Sequence, residues 1–95
     1  LAGRSVPAAQ VLDQAMEIAR DIAVNCAPLA VGLHKRLLWR GQDMNLGELA
    51  ELESRALNFS MGKPDAIEGG MAYIERREPR WTGSIAQDWP DWLKD

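Results

Sequence analysis

One cysteine, one histidine, one tyrosine and one phenylalanine are spread over 95 residues. No apolar run approaches the roughly 20 residues needed to cross a bilayer, and no basic-then-apolar leader opens the chain. Each scarcity excludes a class of protein. A single cysteine, Cys26, closes no internal disulfide, and a single histidine, His34, leaves no ligand spacing for a metal. A net charge of −3 disfavours nucleic acid, whose phosphates require a basic face. No alternation of apolar and polar residues signals a strand, and no repeat or low-complexity tract is present. The expectation is a soluble protein with no membrane and no nucleic-acid partner, for which a reducing cytoplasmic setting is the simplest fit.

What is there is helical. Of the residues, 46% are hydrophobic, which supports one small domain at most. A chain of this size buries only roughly 60–65% of its unfolded surface, so its own core is expected to be thin. The first helix is expected over about 7–24: Pro7 suits a first turn, and Val11, Ala15, Ile18 and Ile22 fall along one stripe. Asn25 can close it, and Pro28 opens a second helix over about 28–40. The apolar residues of that helix, among them Leu29, Leu33, Leu37, Leu38 and Trp39, occupy more than one face, so it wants partners on two sides. Gly41 ends it behind a basic run. Asn45 and Glu48 form the N-x-x-E pattern of a capping box for a third helix over about 46–61, with Glu51 and Arg55 as an i,i+4 pair.

Gly62 and Pro64 interrupt the chain again, and Asp65 with Glu68 reads as a D-x-x-E capping box that starts a fourth helix at Ala66, running to about residue 77. Gly69 and Gly70 are poor helix formers, and in the first turns they suggest a close approach by another backbone or a ligand; the plainer alternative is a frayed start. Beyond Thr82 and Gly83, residues 84–95 form a tail in which Trp89 and Trp92 bracket Pro90 and can dock onto a neighbouring surface. The expected fold is therefore all-α, four helices with short connectors, divided into a helical segment over 1–83 and the tail. Leu1-Ala2-Gly3 reads as the end of a preceding element, and the chain as a fragment of something larger.

Few residues offer chemistry. His34 has no nucleophile or carboxylate placed by sequence to orient it and reads as a surface residue. Cys26, beside Pro28 at a helix junction, reads as a small buried residue at a helix contact. Glu48, Glu51 and Glu53 sit at a helix start, where acids complement the dipole, and Met44, Met61 and Met71 read as gap-fillers. No catalytic or metal-binding residue is assigned. Tyr73 and Arg76 are three apart on the fourth helix, hence on one face: an adenine can stack on the ring and a phosphate can pair with the guanidinium. The plain alternative is an interface tyrosine beside a solvated arginine.

Asp65, Glu68-Gly69, Tyr73, Glu75-Arg76-Arg77 and Trp81, in this order, resemble the C-terminal end of the enoyl-CoA hydratase/isomerase (crotonase) family. The resemblance extends upstream through Lys35-Arg36-Leu37-Leu38, Ala27-Pro28-Leu29-Ala30-Val31, the alanine-rich first helix and Ser5-Val6-Pro7, covering residues 5 to 83. Extra residues between Ser60 and Asp65 depart from shorter members, and the tail after Thr82 has no counterpart in the pattern. The resemblance implies a helical cover that follows a β/α spiral core, contributes to trimer or hexamer contacts and closes over an acyl-CoA site. It also implies that Tyr73 and Arg76 reach the adenine-nucleotide end of coenzyme A held by an adjacent subunit; the coenzyme belongs to the substrate, with no permanently bound cofactor. The oxyanion-hole N–H groups and proton-moving glutamates of such enzymes are expected in the N-terminal catalytic core, which leaves this chain inactive alone. A free-standing helical interaction module is the competing expectation, carried by the two-faced second helix and the tryptophan tail.

Overall fold

Proline and glycine set most of the helix ends. The computed structural model describes residues 2–94; Leu1 and Asp95, the extremes of the expected leading element and of the tail, lie outside the described residues. After a 3-10 turn at Ala8–Gln10, α1 spans Val11–Asn25, so Pro7 precedes a tighter turn and the α-helix starts later than expected. Helix α2 spans Pro28–Arg40 with Pro28 in its first turn, and Gly41 caps it and leads into a 3-10 turn, Gly41–Asp43. Helix α3 spans Leu46–Met61. Its capping box is complete: the Asn45 side chain accepts from the Glu48 N–H at 3.0 Å, and Glu48 accepts from the Asn45 N–H at 3.1 Å. Gly62 closes it.

Helix α4 spans Pro64–Glu75 and differs from expectation at both ends. Lys63 is the N-cap, with no side-chain cap, and Pro64 takes the first position, where its missing N–H costs nothing. Asp65 and Glu68 thus sit inside the helix, and neither caps it. A short α5, Ile85–Asp88, and a 3-10 turn, Asp91–Leu93, follow in the tail, so the regular structure of the described residues is all helical, with one α-helix more than the expected four.

The tail completes the core. Leu93 is 0% exposed and packs with Leu29 and Leu33 of α2, flanked by Leu52, Phe59, Trp89 and Trp92. Trp92 meets Phe59 edge-to-face at 5.9 Å, and the Arg55 guanidinium lies 4.3 Å from the Trp92 ring centre rather than pairing with Glu51. Gly32 leaves room for Trp89 and Ile85: a Cβ there would stand 3.1 Å from each. The tail root is tied by Asp88, which accepts from the Ser84 N–H at 2.8 Å and pairs with Lys63 at 3.4 Å. Helix α2 accordingly uses one face for α3 and α5. Its other face, Val31, Leu38 and Trp39, is exposed.

The remainder is open. None of the α1 residues is buried, although Val11, Ala15, Ile18 and Ile22 line one stripe. The chain exposes 7570 Å². A folded monomer of its mass exposes about 5500 Å². Its radius of gyration is 15.9 Å, against about 12 Å for a closely packed chain of this length. The surplus of roughly 2000 Å², all on this one partner, is more than twice the about 800 Å² that each partner gives to a standard interface. Among the described residues, no helix is long and apolar enough to cross a membrane.

Candidate functional site: the groove at the end of α4

Helix α4 stops in a left-handed turn. Its C-cap, Arg76, has φ 52° and ψ 46° and is the only non-glycine residue at positive φ among the described residues. That conformation costs roughly 1–2 kcal/mol for a residue with a Cβ, so neighbours must hold it. Arg77 does. Its Nη1 and Nη2 donate to the two oxygens of Glu68 at 2.5 and 3.1 Å, its Nε donates to Glu75, and its backbone N–H returns to the Ala72 carbonyl at 3.0 Å. Glu68 also accepts from the Arg80 N–H at 2.7 Å. The Arg77 hydrogen bonds first, and the Arg80 N–H second, lower the Glu68 carboxyl from its ordinary value to about 2. Arg77 is held above its ordinary range by the same pair.

Asp65 performs a parallel task one turn earlier in the helix. It is 7% exposed, and it accepts from the Thr82 N–H at 2.8 Å, the Thr82 hydroxyl at 3.1 Å and the Gly83 N–H at 3.0 Å. The expected D-x-x-E capping box is therefore corrected: both carboxylates reach across to residues 77–83, because Pro64 moves the helix start and the returning strand of chain offers donors that α4 itself does not need satisfied.

Between these two ties Trp81 turns inward, its indole Nε1 donating to the Val24 carbonyl at the end of α1 at 2.9 Å. A Cβ on Gly69 would stand 3.3 Å from that indole, so the close approach expected here is made by a side chain, and at Gly69 alone; Gly70 faces open space. The result is a groove of about 700 Å³ lined by Asn25, Gly69, Tyr73, Arg76, Arg77 and Trp81 among others. Tyr73 is 86% exposed, an aromatic face offered to whatever enters. Tyr73 and Arg76 both line the groove, though not by helical spacing: α4 ends at Glu75, and the left-handed turn brings Arg76 there.

The other candidates lie elsewhere. His34 is exposed, with Nδ1 2.8 Å from the Ala30 carbonyl, a bond that puts the hydrogen on Nδ1. Cys26 is exposed instead of buried, since α1 leaves the junction without packing against α2. Glu51 and Glu53 are solvated, and Lys35 is exposed. Met44 is half-buried, whereas Met61 and Met71 are exposed and fill no gap within the described residues. Sequence reasoning missed the roles of Asp65, Glu68, Arg77 and Trp81, which are tied to one another or to other elements by bonds that span 9 to 57 positions.

No family model matches the chain. Over 87 residues it is 36% identical to a carnitinyl-CoA dehydratase of Proteus mirabilis, covering 87% of this chain and 33% of that protein. Over 80 residues it is 38% identical to an enoyl-CoA hydratase of Alternaria alternata, covering 83% of this chain and 26% of that protein. In structure it superimposes on a probable enoyl-CoA hydratase/isomerase from Mycobacterium abscessus with a TM-score of 0.83 and 45% identity, covering 88% of this chain and 34% of the other. The chain thus spans about a third of the length of the relatives it matches. Sequence and fold agree along most of its length, and the chain belongs to the enoyl-CoA hydratase/isomerase (crotonase) family.

Proposed function

We propose that these 95 residues are the C-terminal segment of an enzyme acting on acyl-CoA thioesters, and that the segment covers the coenzyme A site and supplies subunit contacts. The observation that carries this reading is the groove at the end of α4, in which an exposed tyrosine ring and an arginine share one opening. A ring 86% exposed can stack on adenine, and a guanidinium beside it can fork onto a phosphate. The names of the relatives, all acting on CoA thioesters, supply the ligand class.

In such an enzyme the reaction passes through an enolate at the thioester carbonyl, stabilised by two backbone N–H groups. Those groups and the proton-moving carboxylates belong to an N-terminal core. The residues here bind and enclose. The unburied stripe of α1, the outer face of α2 and the roughly 2000 Å² of surplus surface fit that core and neighbouring subunits of a trimer or hexamer. Coenzyme A is part of the substrate, and no permanently held cofactor is required.

Two experiments test the reading. The purified segment is expected to leave crotonyl-CoA unchanged, and turnover by the segment alone would contradict it. In the full-length enzyme, Arg76→Glu is expected to raise KM for acyl-CoA more than it lowers kcat, because contacts to the nucleotide end contribute mainly uniform binding. An unchanged KM would take Arg76 out of the site.

A further inference from the structure

Three arginines fall within five residues, and the structure treats them differently. Arg77 is engaged by two carboxylates, Glu68 and Glu75, and also donates to the Glu78 carbonyl. A guanidinium so neutralised has little charge left for a phosphate. Arg80 lends its backbone N–H to Glu68. Arg76 and Arg77 both line the groove, but Arg76, among the described residues, makes no side-chain hydrogen bond or ion pair and carries the strained backbone. The neighbour spends its charge on holding the turn, and the turn presents Arg76.

We propose that Glu68 and Arg77 are positioning residues for nucleotide binding: their ion pair fixes the left-handed turn at Arg76 and so sets the direction in which Arg76 enters the groove beside Tyr73. The proposal rests on the reading of the groove as the seat of the nucleotide end of coenzyme A. It adds to that reading a division of labour within the basic run. Were Arg76 to relax into a right-handed turn, α4 would run on, Arg77 would rotate away from Glu68, and the cation would leave the mouth of the groove.

The test titrates the full-length enzyme with adenosine 3′,5′-bisphosphate by calorimetry. The double variant E68Q/R77Q removes one negative and one positive group, so the net charge of the site is unchanged and a change in affinity reports geometry. Its Kd is expected to rise about tenfold, with KM for acyl-CoA following and kcat held within about twofold. R76A is expected to weaken binding by a similar factor, and the triple variant E68Q/R77Q/R76A to bind no more weakly than R76A, since the pair acts through Arg76. If the pair costs the same factor with and without Arg76, or costs nothing while R76A does, the proposal is overturned and the groove reading stands. If R76A binds as wild type, the groove reading falls and the proposal with it. Should E68Q/R77Q not fold, R77K keeps the charge but not the fork. Its loss of affinity must likewise vanish in the R76A background, and a loss that persists there contradicts the proposal.

Discussion

At Gly83 a single added carbon decides between fit and clash. An alanine Cβ there would stand 2.7 Å from Asp65 Oδ2, a carboxylate that is buried and already gripped by three donors. Gly83→Ala is expected to destabilise by about 1–3 kcal/mol through overpacking, read as a lowered melting temperature of the full-length enzyme. Asp65→Ala removes the acceptor instead, leaves the Thr82 and Gly83 N–H groups unpaired, and is expected to cost about 1–3 kcal/mol in the same assay. Glu68 gives a pH signature. Its folded value near 2 lies below its ordinary 4.5, so its stabilisation is complete above about 4.5 and is lost as pH falls towards 2. The melting difference between wild type and Glu68→Gln is expected to be level from neutrality down to about pH 4.5 and to narrow below it; a difference that instead shrinks between pH 5 and 8 would assign the effect to another group.

At the scale of elements, the tail is the part whose role sequence could least foretell. Residues 84–94 lay their apolar side chains along α2 and α3, and Leu93 fills the space between Leu29 and Leu33. Leu93→Ala is expected to cost about 2–5 kcal/mol of local stability, seen as faster amide exchange in α2 and α3 with little change in α1. Equal acceleration in α1 would mean that the helices form one cooperative unit after all. The boundaries of α2 and α3 were legible because each is written locally: Pro28 at a first turn, Gly41 and Gly62 at ends, and Asn45 with Glu48 across one turn. The D-x-x-E pattern at Asp65 misled for an instructive reason. It satisfies the local rule, yet Pro64 takes the first position of α4, and donors that arrive from residues 80–83 compete for the same carboxylates. Cys26 failed similarly: a helix junction buries a small residue only when the two helices pack together, and α1 and α2 make little contact.

For the whole molecule, the thin core was foreseeable from length, and the surplus surface gives it a magnitude. Five apolar residues are buried among those described, and α1 contributes none. The pair Tyr73 and Arg76 was legible as residue types, while the device that joins them was not, because a left-handed turn at an arginine has no sequence signature. What unites the scales is one arrangement: carboxylates on α4 reach forward, pin the chain that follows, and thereby shape an opening flanked by an aromatic ring and a guanidinium. The most direct measurement is the position of the adenine in a complex of the full-length enzyme with coenzyme A. The ring is expected against the Tyr73 side chain with a phosphate oxygen in hydrogen-bond reach of Arg76, and a nucleotide end seated away from this groove would contradict the account.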